Sequence, residues 1–158
     1  MTTAVTRPRS VTARITTPEA PATVDAPAVT VVLGVYTVTV FMNTAPHSFD
    51  GYQPHHPLAA ATHPDCSPLR LVFHATKPIT DHQRAAEAAF AVGNHQGPDH
   101  HGQTWPADLR SVSVGDVIKV TGPDHWILHL RIDPVGFTTV PEPTTLVDLT
   151  GTRATSRR

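Results

Sequence analysis

The chain is poor in cysteine, in lysine and in charge of either sign. Cys66 is its only cysteine, so no disulfide forms within it and an oxidising compartment is not implied. Charged residues are 16% of the sequence, 12 basic against 13 acidic, which excludes a global field able to draw in nucleic acid or an anionic membrane. Only Lys77 and Lys119 are lysines; the other basic residues are arginines. No apolar run reaches the roughly 20 residues that a membrane-spanning helix needs. The longest, residues 28–42, is β-branched and reads as strand. At the start, Arg7, Arg9 and Arg14 have no apolar run behind them, so the h-region of a secretory signal is missing. Pro8 and the lack of an apolar face argue against a transit peptide. The expectation is a cytoplasmic protein without membrane contact. Also missing are a glycine-rich phosphate loop, a Gly-x-Ser-x-Gly elbow and a His-Glu-x-x-His helix.

Proline, threonine and alanine are abundant. With 16 prolines and few charges, the composition suits a β-rich body with long, Pro-punctuated loops. Residues 1–27 hold too few large apolar side chains to offset the entropy of ordering and read as a disordered arm. Residues 28–150 read as a single domain and 151–158 as a polar, disordered tail. Within the domain, Tyr36, Val38, Val40 and Met42 alternate with Thr37, Thr39 and Phe41, the period-two signature of a strand over 29–42. Gly34 reads as a bulge or break. A loop over 43–68 follows, with five prolines. Leu69, Leu71 and Phe73 then alternate in a second strand, expected to pair antiparallel with the first.

Thr80-Asp81-His82-Gln83 has the form of a capping box, and Ala85, Ala86, Ala88, Ala89, Phe90 and Val92 give the helix after it a small-residue face. Gly93 or Asn94 is expected to end that helix in a left-handed cap. A second polar loop spans 94–109. Gly115-Asp116 turns the chain into a strand over 117–120, residues 121–124 form a hairpin connection, 125–132 return, and 135–140 form a last strand. The fold class expected is α+β: a small antiparallel sheet of four to five strands with one helix packed on one face.

The order of these pieces resembles a known group of domains. Glu87-x-x-Phe90-x-x-x-Asn94, then a Pro- and Asp-rich loop, then Arg110-Ser-Val-Ser-Val-Gly-Asp-Val-Ile118, then a strand pair ending in Val135-Gly136-Phe137, is similar to the YodL-like domains of large polyvalent proteins carried by phages and conjugative elements. Val112 stands where leucine is commoner there. The likeness covers about a third of the chain. It implies an accessory protein of a mobile element, and the composition suits an actinobacterial host. It implies no reaction, because its residues read as core and turn: Phe90, Val112, Val114, Val117, Ile118 and Phe137 as core, Gly115 and Gly136 as free backbone, and Asp116 as an acceptor for turn N–H groups.

Eleven histidines invite a metal. His63-x-x-Cys66 has ligand spacing, and His55, His56, His100 and His101 sit in loops that would have to supply the remaining ligands. His125 and His129, four apart on a strand, lie about 13 Å apart and do not share an ion. With no second cysteine and no three-ligand motif, the expectation is no metal and no cofactor. Cys66 with His63 or His74, and Ser113 with His125 and Asp116, lack the surroundings of a nucleophile. No catalytic residues are assigned. The expected function is a non-catalytic binding module that engages a protein through loops 43–68 and 94–109, with Phe49, Tyr52, Trp105 and Arg110 as contacts. Two alternatives stand beside it. One is nucleic-acid binding, if Arg70, Arg110, Lys119 and Arg131 share a face; the other is a His-dependent, metal-assisted hydrolase, if the loop histidines converge. The sequence leaves the oligomeric state open.

Overall fold

The alternation over the first strand is realised in β1 (Gly34–Asn43): Tyr36, Val38, Val40 and Met42 are buried, while Thr37, Thr39 and Phe41 between them are half-buried. The computed structural model describes residues 34–75 and 82–149, which lie within one compact unit. The expected arms (1–27 and 151–158), the beginning of the first strand, and Thr80 and Asp81 of the capping box lie outside the described residues.

β1 is long enough to take partners on both edges. Along one edge, β4 (Val117–Thr121) pairs antiparallel with Thr37–Phe41. The other edge is shared by β3 (Leu71–Ala75), antiparallel to Gly34–Val38, and β2 (Leu58–Ala60), antiparallel to Phe41–Asn43. The sheet continues antiparallel from β4 to β5 (Ile127–Ile132) and β6 (Phe137–Val140). At the far end β7 (Leu146–Val147) runs parallel to β2. The result is a seven-stranded mixed sheet, β6-β5-β4-β1-β2-β7 with β3 also on β1. The four to five antiparallel strands expected are therefore an undercount. β2 and β7, of three and two residues, are too short for alternation to reveal, and β2 sits inside what reads as loop 43–68.

One α-helix, α1 (Gln83–Gly93), lies across β1, β3 and β4. Its Ala85, Ala86, Ala89 and Val92 meet Tyr36, Val38, Val40, Leu71, Phe73, Ile118, Val120 and Leu130 in the main core, with Phe90 half-buried at the margin. Small side chains allow close approach: a Cβ on Gly93 would lie 2.2 Å from a Val112 methyl. The left-handed residue that ends α1 is neither Gly93 nor Asn94. It is His95 (φ 61°), one position on, where His95 N–H bonds Val92 O and Gln96 N–H bonds Ala91 O in a Schellman pattern.

Two other local expectations shift. Gly34 pairs in register with Ala75 and forms no bulge; it is small because a Cβ there would meet the Pro123 ring at 2.6 Å. The return strand begins at Ile127 rather than His125, because Pro123–His125 forms a 3-10 turn with His125 at φ 63°.

The sheet face opposite α1 carries Thr37, Thr39, Lys119, Thr121, Ile127, His129 and Arg131 by strand alternation. A smaller cluster, Tyr52, Leu58 and Val117 with Phe41 and Val140 against it, covers one side of that face. No helix among the described residues covers the remainder.

Gly115 (φ 95°) is the tightest position: a Cβ there would sit 1.9 Å from the Ser48 carbonyl oxygen. Gly115→Ala combines a left-handed backbone with a clash against main chain, and is expected to destabilise the fold by about 3 kcal/mol or more in urea unfolding. Gly97→Ala, also at positive φ but with nothing near its Cβ, is expected to cost about 1 kcal/mol. Equal losses would mean that the contact with Ser48 is unimportant.

Candidate functional site

The segment Arg110–Asp116 has no regular secondary structure. It is held by one carboxylate. Asp116 has no exposure and accepts four hydrogen bonds: Oδ1 from Asn43 N–H (2.8 Å) and Arg110 Nη2 (2.7 Å), Oδ2 from Ser113 N–H (2.9 Å) and Arg110 Nη1 (2.9 Å). The expectation that Asp116 takes turn N–H groups holds for Ser113. The arginine fork and the reach to β1 go beyond it. The side chain of Arg110 is 43% exposed, and its Nη2 also donates to Asn43 O. Bonding to Asp116 raises the Arg110 guanidinium pKa, against burial. Asn43 extends the network: its Nδ2 donates to Gly115 O and meets His56 Nδ1 at 3.0 Å, and His56 Nδ1 also accepts from Gln53 N–H. Of the four contact residues expected, Arg110 thus serves the scaffold with its charged end.

The second loop is likewise occupied. Asp99, 4% exposed, accepts Val72 N–H at Oδ2 and His101 and Gln103 N–H at Oδ1, while Gln103 Nε2 donates to Asp99 Oδ2 and to Arg70 O. His100 N–H bonds Val72 O, and His100 Nδ1 accepts from His74 N–H. These bonds take the place of a missing neighbour along the outer edge of β3. Burial pushes the Asp99 carboxyl up, but the N–H groups of Val72, Gln103 and His101 outweigh it and hold it below its ordinary value. Trp105, expected as a surface contact, is 3% exposed; it packs near Gly93 in the main core, and its Nε1 donates to Arg110 O. Tyr52, also expected as a contact, is 6% exposed in the smaller cluster. Both rings are therefore internal rather than surface contacts, because a large aromatic side chain in a loop is drawn into core volume that lies beneath it. Phe49 alone keeps its ring in solvent, 65% exposed beside His47.

The histidines proposed as ligands fall into separate places. His55 and His56 stack at 4.8 Å after Tyr52. His63 and an exposed Cys66 sit in the turn between β2 and β3. His100 and His101 lie at the β3 edge, where His74 joins them at 5.9 and 5.2 Å between ring centres. Among the described residues, no group of three or more His, Cys, Asp or Glu side chains is arranged to hold a metal ion. The convergence that a metal-assisted hydrolase requires is not formed.

The sheet face away from α1 carries two of the four cations named for a nucleic-acid surface. There Lys119 is the cross-strand neighbour of His129, and Arg131 lies two residues along β5. His129 is 8% exposed and borders a cavity of about 310 Å³ with Lys119, Leu128, Val140 and Glu142. A second cavity of about 370 Å³, sharing Val140 and Glu142, is lined by Tyr52, Arg131, Pro141 and Pro143. Arg131 pairs with Asp133 through Nε at 2.9 Å. Of the four cations whose sharing of a face would mark a nucleic-acid surface, Lys119 and Arg131 do share one, whereas Arg110 is bound to Asp116. Alternation of charge and β-branched residues along β4 and β5 was the available signal, but it does not distinguish this face from an ordinary solvated one.

The chain matches no family model, no curated protein and no solved structure.

Arg110→Met would strand the unexposed charge of Asp116, and is expected to cost about 3 kcal/mol in denaturant unfolding. Asp116→Asn is expected to cost a similar amount, and the double variant clearly less than the sum. Additive losses would show that the two side chains do not act as a pair.

Acid stability follows from two imidazoles. Burial, with His55 nearby, lowers the pKa of His56. Burial also lowers that of His129, which Glu142 opposes and Lys119 reinforces. Both rings stay neutral in the folded chain after their unfolded counterparts begin to take protons below about pH 6.5. Their contribution is complete above that pH and lost as pH falls toward the folded values. Tm is expected to be level from about pH 8 to 7 and to fall from about 6.5 to 5, with a shallower fall in His129→Gln. An unchanged slope in that variant would remove His129 from the account.

Proposed function

We propose that this chain is a non-catalytic accessory module of a phage or plasmid and works by binding a protein. The observation that carries the reading is where the polar side chains are spent. Asp116, Asp99, Arg110 and Asn43, the groups best suited to act on a substrate, are taken up by main-chain groups and by one another. The apolar side chains left in solvent are large: Phe49 at 65%, Ile127 at 52%, Val135 at 92% and Leu146 at 57% exposed. Contact through loop 43–68 rests on Phe49, since Tyr52 is internal. Loop 94–109 contributes mainly by closing the β3 edge. The mobile-element origin rests on the resemblance of residues 87–137 to the YodL-like pattern.

Nucleic-acid binding is the weaker reading. Lys119 and Arg131 supply two cations on one face, but Trp105 is internal and Trp126 packs edge-on against Tyr36 at 6.0 Å, so neither offers a stacking surface beside them.

The test pairs affinity capture from an actinobacterial lysate with chromatography on DNA. A specific protein is expected to remain bound after nuclease treatment, and the purified chain is expected to pass a DNA column at low salt without retention. Salt-dependent retention on DNA, or capture that vanishes with nuclease, would overturn the protein-binding reading.

A further inference from the structure

Among the described residues, three sheet edges lack a β neighbour along their outer side, and they are treated differently. The outer edge of β3 is closed by Asp99, His100 and Gln103. β7 is two residues long. No described residue pairs with the outer edge of β6: Thr138 and Thr139 are exposed, and no charge, proline or bulge interrupts Phe137–Val140. Native sheets usually blunt such an edge.

Its register shows which groups face outward. Asp133 N–H bonds Gly136 O, Ile132 N–H bonds Asp116 O, and Gly122 N–H bonds Trp126 O. In an antiparallel ladder bonded pairs alternate. Even-numbered residues of β5 therefore bond toward β4, and odd-numbered ones toward Thr138 and Val140 of β6. The main-chain N–H and C=O groups of Phe137 and Thr139 point away from the sheet, and no described residue bonds them.

A hollow lies on each side of this edge. On the α1 side a cavity of about 280 Å³ is lined by Phe90, Ile132 and Phe137, with Glu87 at its rim. On the other side the 370 Å³ cavity runs from Val140 to Arg131 and Pro143; Glu142 also lines it, and Arg131 is its one cation. Arg131 uses Nε for Asp133, and no described residue bonds its two terminal nitrogens. Alternate side chains of a strand point to opposite faces, so a strand laid outside β6 would direct one set toward each hollow.

We propose that β6 accepts an extended segment of a partner protein as an added strand. The segment carries an apolar side chain over the Phe90–Phe137 hollow and an acidic side chain on the opposite face toward Arg131. This rests on the protein-binding reading above and gives it a site. A second copy of β6 is a poorer occupant. Pro134 and Pro141 bracket the strand, which limits self-pairing to four residues, whereas a foreign segment runs on beside Pro141–Thr144 into the larger cavity. Main-chain bonds supply affinity in this mode, and the flanking pockets supply selectivity.

The experiment screens a displayed random decapeptide library against the full chain, then measures selected synthetic peptides by fluorescence anisotropy and by amide shifts in 15N-labelled protein. Selected peptides are expected to alternate apolar and acidic residues and to shift the amides of Phe137–Val140. Thr139→Pro removes an outward N–H and no ladder bond, so Tm stays near wild type while Kd rises at least about tenfold. Thr139→Ala leaves Kd within about twofold, and Arg131→Met raises it about fivefold. Peptides that shift other amides, or that bind Thr139→Pro as well as wild type, would overturn the edge site and leave the protein-binding reading standing. A library that yields no binder, or sedimentation showing a dimer dispersed by Thr139→Pro, would likewise overturn it. The lysate capture above decides the protein-binding reading separately.

Discussion

A carboxylate with no access to water organises the middle of this molecule. Burying a charge costs several kcal/mol unless hydrogen bonds replace its hydration, and Asp116 meets that demand with donors from three places: the end of β1, its own turn and Arg110. The main chain of the same residue is also engaged, its N–H to Ser113 O and its carbonyl to Ile132 N–H. One position therefore joins β1, β5 and the coil between α1 and β4. That coil gains a fixed path without strand or helix bonds of its own. Because Arg110 remains 43% exposed, only one end of the pair is fully desolvated, which lowers the cost relative to a pair buried at both ends.

Asp99 does the corresponding work at the β3 edge. Like Asp116 it is almost wholly buried and accepts several main-chain N–H groups, one of them from a strand. In both cases a short carboxylate stands in for the carbonyl of an absent strand. Two long polar loops are anchored in this way. Their ends are tied to strand edges by aspartates, and tryptophan or tyrosine fills the volume beneath. The same economy shapes the contrast at β6, where no such residue follows and the Pro141–Thr144 segment turns away instead.

Legibility in the sequence tracked the length of each signal. β1, β3 and β5 announce themselves because apolar and polar residues alternate over several positions, β6 because its β-branched run follows a Pro-Val-Gly break, and α1 because its alanines recur on one face. β2 and β7 are invisible for the opposite reason: Leu58-Ala59-Ala60 and Leu146-Val147 are too short to show a period, and their pairing is decided by β1 and by each other. The cap at His95 was missed because a nearby glycine is the stronger statistical choice, and tertiary packing against Val112 overrode it. For the site, Asp116 was readable as a turn acceptor, but its reach to Asn43, 73 residues away, was not. Tyr52 and Trp105 show the converse: loop position suggests exposure, and only the three-dimensional core reveals that both rings are needed inside.

The segment from Arg110 to Ile118 is the segment with least chemistry to spare. Gly115 is required by backbone sterics, Val112 and Val117 by packing, and Asp116 by the donors around it. Each requirement is satisfied internally, so each would persist in proteins that bind different partners. A pattern built from such residues follows a fold across functions. The residues that the scaffold does not consume are Phe49, the Lys119–Arg131 face and the outer side of β6. Variation in those positions would change the exposed surface without disturbing the carboxylate-centred framework that holds them.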